Sequence, residues 1–268
     1  MAQPHEGALA PGNMALTEPW IEHFFVGPLQ MRCSVVTDRS TGDTIIVDGG
    51  DEPQRIIDWL DGYEGPGPNW TTGPESQAIA NEQNLPPRKV VALVNTHAHF
   101  DHSGFIPVLR EHYDVDWYLH PDDTFLQTLA QKSARRYGLQ IPEPAVADVD
   151  LIADELLDVG ALTFEIRHTP GHTLGGCSLL LLVEDGPNHL FVGDTLFAGS
   201  VGRTDLPDTG GDFSVLAHSI HTQLWPLDPS TIVYPGHGPM TTIGHEKETN
   251  PFVGDSSGAG SYTIGKYS

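Results

Sequence analysis

Apolar and polar positions group into short runs separated by Gly- and Pro-rich breaks. Strands are predicted at 30–37 and at 44–47, the second ending in DGGD at 48–51. Residues 53–60 predict a helix, with Ile56, Ile57 and Leu60 as its apolar stripe. The apolar run 89–94 predicts a buried strand leading directly into NTHAHFDH. A helix is expected over 103–112, with Phe105, Ile106, Val108 and Leu109 apolar. A strand over 115–119 follows, then a longer helix over 122–137 capped by Asp122 or Asp123. Strands at 162–167, 177–183 and 189–192 precede an amphipathic helix at 212–224, whose Phe213, Leu216, Ile220 and Leu224 share one face. A strand at 231–234 closes the series. Residues 1–19 read as an irregular lead-in, 61–87 as an insert without regular structure, and 253–268 as a flexible Gly- and Ser-rich tail.

Strands and helices alternate, but three strands lie close together between 160 and 193. That predicts two mixed sheets with helices outside, rather than a doubly wound parallel sheet. The expected organisation is one domain over 1–252, carrying the 61–87 insert. The insert enters at the start of the strand 89–94, while HAHFDH follows its other end. Six strand residues span roughly 20 Å, so the insert is expected away from the chemistry, as surface decoration or a subunit contact.

The charge balance narrows the partners. Asp and Glu number 36 against 13 Lys and Arg, a net charge of −23. Such a surface repels nucleic acid and anionic membranes, and neither is expected as a partner. The imbalance fits an ordinary acidic cytoplasmic protein or adaptation to high salt. No run approaches the roughly 18 apolar residues of a membrane helix, and the first residues lack a basic start followed by an apolar run. With only Cys33 and Cys177, reduced thiols and a cytoplasmic location are expected.

The candidate chemistry begins at His97-Ala-His99-Phe-Asp101-His102. Alternate residues of an extended segment point the same way, so His97 and His99 can share one metal. Asp101 and His102 follow as the chain turns toward the next helix, placed to hold a second, adjacent metal. His172 in TPGHT, Asp194 in FVGDTLF and His237 in YPGHGP each follow a predicted strand beside glycine. Ligands at strand ends are rigidly based yet accessible.

This order of HxHxDH, His172, Asp194 and His237 resembles the metallo-β-lactamase superfamily over about residues 20–252. The resemblance implies a four-layer αβ/βα sandwich with a metal site at one edge. It also implies a ligand set: His97, His99 and His172 on one metal, Asp101, His102 and His237 on the other, and Asp194 bridging. GRTDLP at 202–207 and PGHGPMTTIGHEKETNPF at 235–252 resemble glyoxalase II and the short glyoxalase II-like hydrolases. That implies hydrolysis of a thioester such as S-lactoylglutathione. The family's helical C-terminal glutathione clamp has no counterpart in the short, Gly- and Ser-rich segment after His237, so the resemblance extends to the hydrolytic core.

Two divalent cations lower the pKa of a bound water to give hydroxide and polarise the carbonyl. Asp101 is placed to orient that hydroxide, as the catalytic carboxylate. Zinc suits five His and two Asp best; iron and manganese accept the same donors. The alternatives are a mononuclear iron persulfide dioxygenase using His97, His172 and Asp194, a hydrolase of another ester, lactone or β-lactam, and a non-enzymatic metal-binding role. Asp48 reads as a partner behind the ligands or a turn former, and Thr96 as structural. Arg203 and Asp205 are expected to pair with each other, and Lys247 to be a surface lysine. His168, His189, His218, His221 and His245 are expected not to be ligands.

Overall fold

The computed structural model describes residues 19–61, 86–160, 162–184 and 186–255. The predicted lead-in, nearly all of the insert and the tail beyond Asp255 lie outside them. The first sheet has six strands in chain order: β1 (Trp20–Val26), β2 (Met31–Thr37), β3 (Asp43–Val47), β4 (Lys89–Val94), β5 (Trp117–Leu119) and β6 (Val149–Asp150). Its first three strands pair antiparallel, and β3 to β6 run parallel. The second sheet contains β7 (Leu156–Val159), β8 (Leu162–His168), β9 (Cys177–Leu181), β10 (His189–Gly193), β13 (Ile232–Pro235) and β14 (Thr241–Thr242). Its β10 and β13 are parallel and its other pairs antiparallel. A two-stranded hairpin, β11 (Leu196–Phe197) with β12 (Ser200–Val201), stands apart. Both principal sheets are mixed, as expected.

Side-chain alternation along the strands builds the layers. Ile45, Val47, Ala92 and Val94 meet Phe164, Leu179, Leu181 and Phe191 between the sheets. The opposite faces carry Ile46 and Leu93 on one sheet and Leu180, Leu190 and Val192 on the other. Helices cover those outer faces. Ile56, Ile57 and Leu60 of α1 (Pro53–Asp61), with Ile106 and Leu109 of α3 (Ile106–Tyr113), pack on the first sheet. Leu216 of α5 (Phe213–Ser219) and Ile243 of α6 (Ile243–Thr249) pack on the second. The result is the four-layer sandwich.

Several elements differ from expectation: β6, β7, β11, β12, β14 and α6 are not anticipated at all. β1 is not anticipated because Glu22 and His23 interrupt its apolar pattern, yet both are buried. Arg88, 66 residues away, donates to Glu22 Oε2. The helix expected over 103–112 is two pieces: α2 (Phe100–Ser103) and α3, whose first turn holds Pro107, a residue suited to a helix start. The helix expected over 122–137 is α4 (Thr124–Arg136), and neither Asp122 nor Asp123 caps it with its side chain. A 3-10 turn precedes it, and the Asp122 amide donates to His120 Nδ1. The Asp212 carboxylate does cap α5, but the helix then widens into a π turn at Ile220–Leu224. Val253, counted with the tail, is buried beside Trp225, whose indole N–H donates to its carbonyl at 3.2 Å.

Candidate metal centre

Four segments meet at one edge of the sandwich. β4 ends at Val94 and leads into His97–His102, and β8 leads into the loop holding His172. β10 and β13 are parallel, with Gly193 opposite Pro235, so Asp194 and His237 leave the second sheet at the same end. The sheets touch there: a Cβ on Gly193 would stand 2.2 Å from Thr96 Oγ1. Asp101 and His102 face the site from the single turn of α2.

The seven side chains form three overlapping groups: His97 with His99 and His172, His97 with His102 and Asp194, and Asp101 with His102 and His237. Within each, the donor atoms lie within 4.8 Å of one another. His99 Nδ1 is 3.1 Å from His97 Nε2 and 2.9 Å from His172 Nε2. Asp194 Oδ1 faces His102 Nε2 at 3.4 Å, and its Oδ2 faces His172 Nε2 at 3.5 Å and His237 Nε2 at 3.7 Å. Asp101 Oδ2 lies 3.3 Å from His237 Nε2.

Hydrogen bonds outside the cluster fix which nitrogens face inward. His172 Nδ1 donates to the Arg203 carbonyl at 2.6 Å, and His237 Nδ1 to the Leu29 carbonyl at 3.0 Å. His102 Nδ1 donates to Asp48 Oδ2 at 3.1 Å. The Thr96 hydroxyl donates to Asp48 Oδ2 and so accepts from His97 Nδ1 at 3.1 Å. Four imidazoles therefore spend their Nδ1–H outward and aim Nε2 at shared space. His99 Nε2, His102 Nε2 and Asp194 Oδ1 are buried without a hydrogen-bond partner. Ring nitrogens and carboxylate oxygens crowded this closely make a donor set that fits divalent metal.

The electrostatics follow from that crowding. Burial, then the neighbouring His172, hold His99 down to a pKa of about 3. Burial, then His102, depress His97 well below the usual range. Burial opposes charge on His102 too, but Asp194, Asp101 and Asp48 raise it well above the ordinary value. Burial likewise works against ionised Asp194, and His102, His172 and His237 overcome it.

Two glycines are steric requirements. A Cβ on Gly236 would fall 2.3 Å from Asp194 Oδ1 and 2.6 Å from His102 Cε1. One on Gly202 would lie 1.7 Å from the Asp194 carbonyl. PGHG and GRTD therefore put their glycines directly behind ligand-type side chains.

The family model for the metallo-beta-lactamase superfamily matches residues 26–237. The chain belongs to that superfamily. It is 34% identical over 239 residues to hydroxyacylglutathione hydrolase GloC of Haemophilus influenzae, covering 88% of this chain and 99% of GloC. Among solved structures it resembles the BLEG-1 B3 metallo-beta-lactamase, with a TM-score of 0.71 at 33% identity, covering 87% of this chain and 99% of that one. It also resembles TTHA1623, solved in a di-iron-bound form, with a TM-score of 0.67 at 37% identity, covering 86% and 98%.

In this superfamily member Asp48 is more than a turn former. It adopts a left-handed φ of +57°, and its carboxylate accepts from the Thr96 amide and hydroxyl, Asn95 Nδ2 and His102 Nδ1. Arg203 and Asp205 pair at 2.9 and 3.1 Å, while Lys247 donates to the Trp225 carbonyl. The TTIGHE segment is structural. The buried Glu246 carboxylate accepts from the Gly199 amide, Thr241 Oγ1 and Asn250 Nδ2, and Asn250 Nδ2 also donates to the Ser200 carbonyl. These bonds hold the β11–β12 hairpin, whose Phe197 stands edge-on to His237 at 6.3 Å.

His168 joins His120 and Asp122 in a separate group outside the centre. Its ring stacks on His120 at 4.3 Å and 9°, so the in-plane lone pairs run side by side rather than converging. Sequence reasoning misses two residues that hold the ligand loops. Asp123 reads there as a helix cap, and Arg32 as an unremarked strand residue.

Proposed function

We propose that this chain hydrolyses the thioester of a small acyl-thiol such as S-lactoylglutathione, at a centre of two divalent cations with zinc favoured. The observation that carries the reading is the set of outward-spent Nδ1–H groups, which leaves four Nε2 atoms facing Asp101 and Asp194. The match to GloC supports the substrate class. It takes in 99% of that protein, so the reading needs no segment beyond the shared core. The di-iron form of TTHA1623 supports iron as an accepted alternative for the same donors.

When bound, the cations supply a water acidified to near-neutral pH and polarisation of the acyl carbonyl. The chain's part is to position. His97, His99 and His172 would hold one cation, Asp101, His102 and His237 the other, with Asp194 between them. The Asp101 carboxylate, beside His237 Nε2 at 3.3 Å, would accept a hydrogen bond from the attacking water. A thiolate leaves readily, and no strong protein acid is required. Cys33 and Cys177 are free and buried, and burial pushes both thiols up, so neither serves as a nucleophile. Two free thiols fit a reducing compartment such as the cytoplasm.

Elemental analysis of the purified chain, joined to assays on S-lactoylglutathione, simpler thioesters and a β-lactam, tests the proposal. Two metals with thioester cleavage support it. A single iron with oxygen uptake on a persulfide moves the chain to the dioxygenases, and β-lactam cleavage without thioester cleavage removes the substrate class.

A further inference from the structure

We infer that two side chains that ligate nothing hold the two metal positions separately: Asp123 for the His97/His99/His172 position and Arg32 for the Asp101/His102/His237 position. The inference rests on the two-metal reading above and deepens it.

Asp123 is fully buried just before α4. Its Oδ2 accepts from the Ala98 amide at 3.0 Å and from Thr173 Oγ1 at 2.9 Å, and its Oδ1 accepts from the Gly175 amide at 2.6 Å. Ala98 lies between His97 and His99, and Thr173 follows His172. One carboxylate thus staples the two loops that supply the first position. Three donors point at it, and only an acceptor-only group satisfies all three. Gly175 permits the approach, because a Cβ there would meet the Asp123 amide at 2.7 Å.

Arg32 does the corresponding work at the second position. It is buried in β2. Its Nε donates to the Pro235 carbonyl at 2.9 Å and its Nη2 to the Gly238 carbonyl at 2.5 Å, bracketing His237 on both sides. Its own amide donates to the Gly236 carbonyl at 2.6 Å. The preceding turn accepts His237 Nδ1 at the Leu29 carbonyl. The planar fork suits carbonyls set at fixed spacing in a way a lysine does not, and the guanidinium lies 4.8 Å over the Phe25 ring, which keeps it in place.

The two clamps share no partner among these hydrogen bonds. Asp123 holds nothing in the 235–238 turn, and Arg32 nothing in the 97–99 or 172–175 loops. Asp194 and His102 face both positions, and Asp48 joins them from behind, accepting from His102 Nδ1 and from the Thr96 hydroxyl that meets His97.

The test uses the full chain loaded with zinc alone, titrated with a chelator, reading zinc per chain and imidazole nitrogen resonances. Asp123→Asn puts an amide N–H where the carboxylate met donors, and Arg32→Met keeps the apolar stem without the fork. Each variant is expected to lose one zinc equivalent at roughly 10–100-fold lower chelator, with the other retained as in the parent. Asp123→Asn should disturb the His97, His99 and His172 resonances, and Arg32→Met that of His237. Loss of both equivalents together in either variant, or parental retention in both, overturns the inference. Thr173→Val and Arg32→Lys are milder versions if a variant fails to fold, and the same outcomes apply to them. A parent chain that binds fewer than two zinc ions overturns the two-metal reading itself, whereas failure to cleave thioesters touches neither clamp.

Discussion

The first sheet delivers His97, His99, Asp101 and His102 in one stretch from the end of β4, whereas the second delivers His172, Asp194 and His237 singly, from loops after β8, β10 and β13. The stretch is contiguous, built from a strand end and one helical turn, and two remote carboxylates hold it: Asp48 at Thr96 and His102, and Asp123 at Ala98. The single residues depend on the packing of whole strands and on glycines that let backbone and side chains approach. The first contribution should therefore hinge on a few buried hydrogen bonds, and the second on close packing of backbone and side chains.

The strongest way to break this contrast is Asp194→Asn. Asp194 faces His102 from the first sheet and His172 and His237 from the second. Removing its charge is expected to weaken both metal positions by more than the roughly 10–100-fold that an outer partner costs. Zinc stoichiometry under chelator reads it, and loss at one position only would show that Asp194 does not join the two sheets' contributions.

Asp101→Asn probes the first sheet's stretch where it meets His237. It is expected to cut kcat severely while the unfolding midpoint moves little, because the side chain's ion-pair neighbours, His102 and His237, are other site residues. Near-parental kinetics would remove Asp101 from water positioning. Asp48→Asn comes next in size. It takes an acceptor from His102 and Thr96, and activity or zinc retention should drop roughly 10–100-fold. A purely structural Asp48 would instead lower the thermal midpoint and leave zinc retention unchanged.

Gly236→Ala tests the second sheet's dependence on close approach. The added methyl would meet Asp194 Oδ1 and His102 Cε1. Overpacking of this kind costs roughly 1–3 kcal/mol, measurable by denaturant unfolding, and zinc retention should fall with it. Unchanged stability and retention would mean that the 235–238 turn yields easily.

The same contrast governs what the sequence discloses. HAHFDH is legible because its chemistry is contiguous and follows an apolar strand. His172, Asp194 and His237 are legible individually as ligand types at strand ends, and their convergence becomes visible only through β10 and β13 in parallel register. Asp123 and Arg32 are illegible because their partners are remote. Asp123 serves residues 25 and 52 positions away, and Arg32 serves carbonyls 203 and 206 positions away. β1 is hidden for the same reason, since the partner that lets Glu22 be buried lies far along the chain. Local pattern reports what a residue is, and burial with a distant partner decides what it does.

The smallest expected effect separates backbone from side chain within GRTD. The Arg203 guanidinium pairs with Asp205 at the surface, with side chains 63% and 67% exposed, and exposed pairs contribute about 0–1 kcal/mol. The Arg203 carbonyl, by contrast, accepts the His172 Nδ1–H at 2.6 Å, and Gly202 leaves room for the Asp194 carbonyl. Arg203→Ala keeps that carbonyl. It should shift unfolding stability by less than about 1 kcal/mol and leave zinc retention at the His172 position unchanged. Gly202→Ala should lose both. Equal losses in the two variants would mean that the guanidinium, rather than the backbone of this segment, orients His172, and the second sheet's contribution would then rest on surface charge as well as packing.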